Sequence, residues 1–335
     1  MRKNSFYFQW HITDFCGNRC EHCYINEFNK NRVSLVAAKN ILADMKDCCV
    51  ELDADMILSI TGGDPLTHPE IWTILNEART IAGKLAVLGN PELVNDKNIH
   101  KLKAAGINWY QLSLDGLEMT HDRIRSKGSF KRTIKGIKLL TATGIPVVIN
   151  STVSGTNYRE MVDVMKLSHD LGASKWSFAR WVPDSGTCGM SAVEYRKFLE
   201  KICTEQKAYN EDATGFVAGD SLMYPVISEP MNCDSIVGGC ALGSSVLCIL
   251  PDNTVMACRR HKDSVLGKWQ LGGDLLDFFL FNPKMEEYRQ TEKIIGCSKC
   301  SFKSQCRGCR AVAFADSGNT LGRDPQCVLI SNHVS

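Results

Sequence analysis

Six times between residues 6 and 182, a short run rich in β-branched and aromatic side chains gives way to an amphipathic or polar stretch. The runs are FYFQWHIT (6–13), MILSITGG (56–63), KLAVLGN (84–90), INWYQLSLDG (107–116), IPVVINSTV (145–153) and KWSFARWV (175–182). Helical patterns between them include VSLVAAKNILADMKDCC (33–49), PEIWTILNEARTIAG (69–83), SFKRTIKGIKLLTATG (129–144) and YREMVDVMKLSHDLG (158–172), several closed by a terminal glycine. Alternation of this kind specifies βα units around a parallel sheet. Six units are too few for a closed eight-stranded barrel and too many for a minimal mononucleotide fold. Polar and glycine clusters fall at the C-terminal ends of the strands, where barrel enzymes keep their sites. The expected fold is α/β, a partial (β/α)6 TIM-like barrel over residues 1–225. Its boundary lies near 215–230, after the helix EYRKFLEKICTEQKAYN (194–210).

From Asn232 onward apolar runs shorten, glycine becomes more frequent, and nine of the sixteen cysteines occur. A core that thin requires a staple besides burial, so residues 226–335 are expected to form a cysteine-rich, metal-binding domain. The opening MRKNSFYFQWHIT alternates instead of forming the apolar run of a signal peptide, and no segment approaches the ~18 apolar residues of a membrane span. A reducing cytoplasm is therefore expected, where cysteines bind metal or do chemistry instead of forming a disulfide framework. The 39 basic and 37 acidic side chains nearly balance, without a basic block, which argues against nucleic acid or membrane as a partner.

The stretch FCGNRCEHCYIN (15–26) places Cys16, Cys20 and Cys23 directly after the first strand. Three thiolates are one fewer than a tetrahedral zinc or a closed iron–sulfur cluster uses, so a [4Fe–4S] cluster here would keep one iron open to substrate or cofactor. A zinc loop and three unrelated buried thiols are the alternatives. This CxxxCxxC loop after strand one of a partial barrel resembles the radical S-adenosylmethionine (SAM) superfamily. The resemblance implies that SAM binds the open iron and is cleaved to a 5′-deoxyadenosyl radical. It extends to TGGDP (61–65), similar to the family's glycine-glycine-acid-proline turn, so that Gly62, Gly63, Asp64 and Pro65 are implied to meet the SAM ammonium, Asp64 standing for the usual Glu. SLDG (113–116), with Ser113 and Asp115, and Arg125 twelve residues after Ser113 resemble the ribose and carboxylate contacts. His22 occupies the position of an adenine-stacking aromatic, and Asn150 ends strand five on the opposite side.

The run CSKCSFKSQCRGC (297–309) repeats close cysteine pairs, which points to metal, with a zinc ribbon as the alternative to iron. Its order resembles the SPASM extension of radical SAM enzymes, which holds two auxiliary [4Fe–4S] clusters. That resemblance implies Cys240, Cys258 and Cys309 for the first cluster, with Cys248 as fourth ligand and Cys233 in reserve. Cys297, Cys300, Cys306 and Cys327 are implied for the second. VLCILPDNTVMAC (246–258) reads as the accompanying hairpin, with Asn253 taking the left-handed turn position usually held by glycine. Two residues instead of three separate Cys306 from Cys309, which leaves the division between clusters open. Cys48, Cys49 and Cys203 read as small buried hydrophobes. Cys188, in PDSGTCGM (183–190), is a hydrogen-atom donor candidate.

The expected activity is hydrogen abstraction from a peptide, leading to oxidation, cross-linking or epimerisation in the maturation of a ribosomally made peptide (RiPP biosynthesis). The chain starts only a few residues ahead of its first strand, so a separate leader-recognition protein, or direct reading of the peptide at the barrel mouth, is expected. Flavodoxin or ferredoxin is the expected electron donor. The alternative is a dehydrogenase, decarboxylase or epimerase acting on a sugar or antibiotic precursor. Anaerobic sulfatase maturases resemble this layout too, but they carry an acidic residue after the cysteine aligned with Cys258, where this chain has Arg259.

Overall fold

The computed structural model describes residues 4–25, 28–207, 217–218, 220–228, 236–237, 239–327 and 329; Cys233 lies outside them. The elements are β1 (Asn4–Thr13), α1 (Leu35–Glu51), β2 (Ala54–Gly62), α2 (Ile71–Ile81), β3 (Lys84–Leu88), α3 (Asp96–Ala104), β4 (Trp109–Ser113), α4 (Glu118–Ile124), α5 (Ser129–Ala142), β5 (Val147–Val153), α6 (Met161–Asp170), β6 (Lys175–Arg180) and α7 (Ala192–Lys207). There follow β7 (Val217–Ala218), α8 (Met223–Ser228), β8 (Ile236–Val237), β9 (Val246–Ile249), β10 (Thr254–Met256), β11 (Val265–Lys268), α9 (Leu275–Leu280), α10 (Pro283–Arg289) and α11 (Arg310–Ser317). All six expected strands are present, and the expected helices begin and end within a few residues of their patterns. The short helices α3 and α4 were not expected. The chain forms two units, Met1–Leu112 with Arg125–Val147 and Leu242–Arg289, and Ser113–Ile124 with Val148–Ala241 and Gln290–Ser335.

In the first unit β1 is central. It pairs in parallel with β2 on one side (Phe8 opposite Leu58, Trp10 opposite Ile60) and with β9 on the other (Gln9 opposite Cys248). β2, β3 and β4 continue in parallel, while β9, β10 and β11 run antiparallel, so the C-terminal hairpin extends this sheet. Period-2 alternation sorts the side chains of β1. Phe6, Phe8, Trp10 and Ile12 are buried on one face, and Tyr7, Gln9 and His11 stand on the other. Each fully buried side chain of this size stabilises by about 1.5–3 kcal/mol. Phe279 of α9 meets Phe6 edge-on at 4.8 Å. α1 starts at Ser34, whose hydroxyl accepts the Ala37 N–H, and buries Ala38, Ile41, Leu42, Met45, Cys48 and Cys49 at helical spacing. The hairpin turn has Asn253 at φ +69°, the left-handed conformation expected of it.

In the second unit β5 and β6 pair in parallel, as do β7 and β8. Cys203 is buried on α7, as expected of a small hydrophobe.

Where β1 and β2 end, their register shifts between His11 and Thr13, and the two exits run against each other. Gly63 N–H donates to Thr13 C=O and Asp64 N–H to Phe15 C=O, both at 2.8 Å. A Cβ on Gly62 would overlap the Thr13 carbonyl oxygen, one on Gly63 that of Phe15, and Gly62 sits at φ +142°. Only glycine fits that approach. Gly62→Ala is therefore expected to cost about 2–4 kcal/mol in chemical denaturation, combining backbone strain with overpacking. Gly17→Ala, where nothing lies within 4 Å of the added carbon, should stay within about 0.5 kcal/mol.

Candidate functional site

The cysteine loop leaves β1 at Thr13 and is closed at its base by buried Asp14. That carboxylate accepts the Lys30 N–H (2.7 Å), the Asn31 N–H (2.8 Å) and Asn31 Nδ2 (3.0 Å). The Cys23 N–H donates to Cys20 C=O at 3.1 Å, folding those two cysteines into one turn. Cys16, Cys20 and Cys23 are half-buried, unlike Cys48, Cys49, Cys188 and Cys203, which are buried. Burial pushes the Cys16 thiol up. Two donors to its sulfur oppose this, the Asn18 backbone N–H at 3.4 Å and Asn90 Nδ2 at 3.1 Å.

Several expected cofactor residues gather around this loop in the first unit. Arg125 approaches it with Nη1 3.9 Å from Cys20 Sγ and Nη2 3.5 Å from His22 Nε2. Asp64 is buried and caps the turn after Pro65, its Oδ1 accepting the Leu66 N–H at 3.1 Å. Burial, with the nearby Glu92 charge, pushes the Asp64 carboxyl up to about 7 against the N–H bonds it receives from Leu66 and Asn90. Four side chains absent from the sequence reading close a ring beside Cys16. Asn18 Nδ2 donates to Glu92 Oε1 (3.3 Å), Arg132 Nε to the same oxygen (3.2 Å), Arg132 Nη2 to Ser126 Oγ (3.0 Å), and Ser126 Oγ to Asn18 Oδ1 (3.3 Å). Further along β1, the Cys248 thiol lies 3.7 Å from Gln9 Oε1, and burial with the neighbouring Cys258 pushes it well up. Arg259 donates to the Tyr24 carbonyl at 2.9 Å, with its guanidinium 4.4 Å from the Tyr24 ring.

The second unit holds the other expected positions. Ser113 ends β4, and Asp115 is fully buried as a brace, its Oδ1 accepting the Thr152 N–H at 2.7 Å and its carbonyl accepting Asn157 Nδ2 at 2.8 Å. Asn150 Oδ1 accepts from Ser177 Oγ at 3.0 Å. Cys297, Cys300, Cys306 and Cys327 line one cleft, with Lys303 and Arg323 among its walls. Burial pushes the Cys306 thiol up to about 12. The Cys240 carbonyl accepts from Arg307, and Cys309 is buried. Among the described residues, no three Cys, His, Asp or Glu side chains converge as the ligands of a single ion do. No helix among them is long and apolar enough to cross a membrane.

A buried cation organises this cysteine segment. Arg180, at the end of β6, is fully buried and donates to Asp220 (2.6 Å), to both oxygens of Asp324 (2.9 and 2.7 Å) and to Gln326 Oε1 (2.5 Å). Asp324 Oδ2 accepts the Cys309 N–H at 2.7 Å, and its carbonyl accepts the Cys327 N–H at 3.0 Å. Burial pushes the Asp324 carboxyl up, but Arg180 overrides it and leaves the group below the usual range. Gln326 Nε2 donates to Cys188 Sγ at 2.7 Å, and burial keeps that thiol raised and protonated.

Residues 10–168, which carry the cysteine loop, the Gly62–Asp64 turn and Arg125, match the family model of the Radical SAM superfamily. The protein is a radical SAM enzyme. An AdoMet-dependent heme synthase of Methanosarcina barkeri is 25% identical over 338 residues, 95% of each chain. Mycofactocin maturase MftC of Mycobacterium ulcerans is 23% identical over 95% of this chain and 86% of its own. The crystal structure of Streptococcus suis SuiB bound to precursor peptide SuiA superposes with a TM-score of 0.77 at 18% identity, over 98% of this chain and 76% of that one. The radical SAM fold with its parallel sheet and cysteine-rich C-terminal region is thus the architecture expected. Membership of the superfamily brings a [4Fe–4S] cluster and SAM. The residues fit such a group, since three half-buried thiols share one loop and the Cys16 sulfur already takes two N–H donors, as a thiolate ligand does.

Two outcomes follow from this geometry. The folded state holds the Asp64 proton more tightly than the unfolded chain, so it is stabilised below pH ~4 and that stabilisation fades as pH rises towards 7. Asp64→Asn should accordingly gain about 2–4 kcal/mol over the native apoprotein at pH 8 and much less at pH 5, read by urea denaturation. Arg180→Met strands two buried carboxylates and should cost about 3–5 kcal/mol, read in the same way.

Proposed function

We propose that this enzyme forms a 5′-deoxyadenosyl radical and uses it to abstract hydrogen from a peptide, which is then oxidised, cross-linked or epimerised. When bound, the cluster supplies the electron that cleaves SAM. Cys16, Cys20 and Cys23 hold it, the backbone of Gly62 and Gly63 receives the SAM ammonium, and Arg125, beside Cys20, meets the carboxylate. His22, 3.5 Å from Arg125, belongs to the same cofactor site. Residues 226–335 act as the auxiliary domain. The observation that carries this part of the reading is the cleft lined by Cys297, Cys300, Cys306 and Cys327, which suits a second auxiliary cluster. Cys248 and Cys258, on the hairpin that extends the sheet of the first unit, serve the first. Cys188, a protonated and buried thiol, is the candidate hydrogen-atom donor. Flavodoxin or ferredoxin is the electron donor in this scheme, and the setting is the cytoplasm.

One observation favours a second reading, in which the substrate is a small molecule. The relative matched over 95% of both chains is named a heme synthase, which makes a carboxylated tetrapyrrole the first small molecule to test.

Anaerobically reconstituted protein should carry about twelve irons per chain, and Cys300→Ala about eight with SAM cleavage retained. The Cys16, Cys20 and Cys23 triple alanine variant should release no 5′-deoxyadenosine. Reduced enzyme and SAM are then incubated with peptides encoded beside the gene and, separately, with carboxylated tetrapyrroles. Loss of a hydrogen pair from the peptide, or uptake of one deuterium from heavy water, supports the peptide reading. Turnover of the tetrapyrrole alone replaces it with the second, and 5′-deoxyadenosine from the triple variant overturns both.

A further inference from the structure

Asn90 lies two residues beyond β3, in a loop to which no role was assigned from the sequence. It is nearly buried and uses three polar groups in three directions. Its Nδ2 donates to Cys16 Sγ at 3.1 Å, its backbone N–H to the Asp64 carboxyl, and its carbonyl accepts the Tyr110 hydroxyl at 3.3 Å. Tyr110 is fully buried on β4, so the residue is anchored to the sheet and its amide cannot swing freely. Glu92, two residues on, enters the closed ring with Asn18, Ser126 and Arg132. Asn18 in turn gives its own N–H to the same Cys16 sulfur. Both donors to Cys16 are therefore fixed from the β3 loop, one directly and one through the ring. Cys20 is approached by Arg125, so the neighbours of the three thiols differ.

We propose that Asn90 is a positioning residue that holds the Cys16 thiolate and tunes the cluster bound there. The inference rests on the reading of Cys16, Cys20 and Cys23 as cluster ligands. A hydrogen bond to a ligand sulfur withdraws electron density and favours the reduced, more negative cluster, so losing the donor lowers the reduction potential. Asn90 also joins the cysteine loop to the Asp64 turn, where the proposed SAM contacts lie, so a disturbance on one side reaches the other through a single side chain.

The test uses the reconstituted full chain and the electron paramagnetic resonance signal that changes on adding SAM, which singles out this cluster from any other in the protein. Asn90→Asp keeps the shape and replaces the donor by an acceptor, and Asn90→Leu removes hydrogen bonding altogether. Both should shift the midpoint potential of that signal to more negative values, Asp further than Leu. 5′-Deoxyadenosine release with a weak reductant should fall by about tenfold or more. Loss of about four irons per chain from either variant, with native circular dichroism, also supports the proposal, because Cys16 has then lost its position. Unchanged potential and signal in both variants overturn it. Should both variants misfold, Ser126→Ala opens the ring at Asn18 without removing a buried group, and the signal should shift in the same direction by less. No shift there overturns the proposal. A native enzyme that shows no SAM-responsive signal overturns the underlying assignment of the three cysteines as well, which separates the two failures.

Discussion

Two backbone hydrogen bonds, from Gly63 to Thr13 and from Asp64 to Phe15, hold the exit of the first strand against that of the second, and the site is built outward from them. Parallel strands end on the same side of a sheet, but the loops that leave them ordinarily diverge. Here the ladder slips by one residue after His11, and the chains continue in contact beyond it. Cys16 follows Phe15 directly, so the position of the first sulfur is inherited from the paired strand exits. A flexible loop able to place its own cysteines would lose far more entropy on binding a cluster. The glycines serve the fold first, because the carbonyl oxygens of Thr13 and Phe15 occupy the space a side chain would need.

The strands were legible because each is a short apolar or β-rich run, and a polar or glycine cluster marks its end. Asn253 in its turn, and Cys48, Cys49 and Cys203 in their helices, followed from single-residue chemistry that tertiary context did not override. The short helix α3 lay between two strong signals, and its charged sequence DKNIHKLKA buries only Ile99 and Leu102, too few positions to register a helical period. α4 is shorter still and begins two residues after the SLDG segment.

The polar framework was illegible for a different reason. Asn18, Glu92 and Ser126 come from separate loops and Arg132 from the first turn of α5, up to 114 residues apart in number, and no spacing rule connects them. Arg180 and Asp324 are 144 residues apart. In sequence the Arg looks like the end of a strand and the Asp like a turn residue. The one local sign was that LGNP, residues 88–91, ends a strand, as TGGD and SLDG do. Strand-end position in a barrel carries functional weight whether or not a recognised motif stands there.

The two polar systems solve opposite problems. The ring beside Cys16 is partly exposed, with Arg132 and Glu92 open to water on one side. Each of its bonds is worth little energetically, since exposed ion pairs contribute about 0–1 kcal/mol. Its value is geometric, because four bonds in a closed circuit leave Asn18 one position and so fix the N–H that meets Cys16. Arg180 is dry, and burying one guanidinium with two carboxylates is costly unless every donor is matched. Matching requires Asp220, Asp324 and Gln326 to arrive together, and two of these lie within three residues of Cys327. The chain segment bearing Cys309 and Cys327 therefore cannot settle elsewhere without leaving a buried charge unpaired. That penalty specifies the cysteine-rich segment, whose own apolar core is too small to do so.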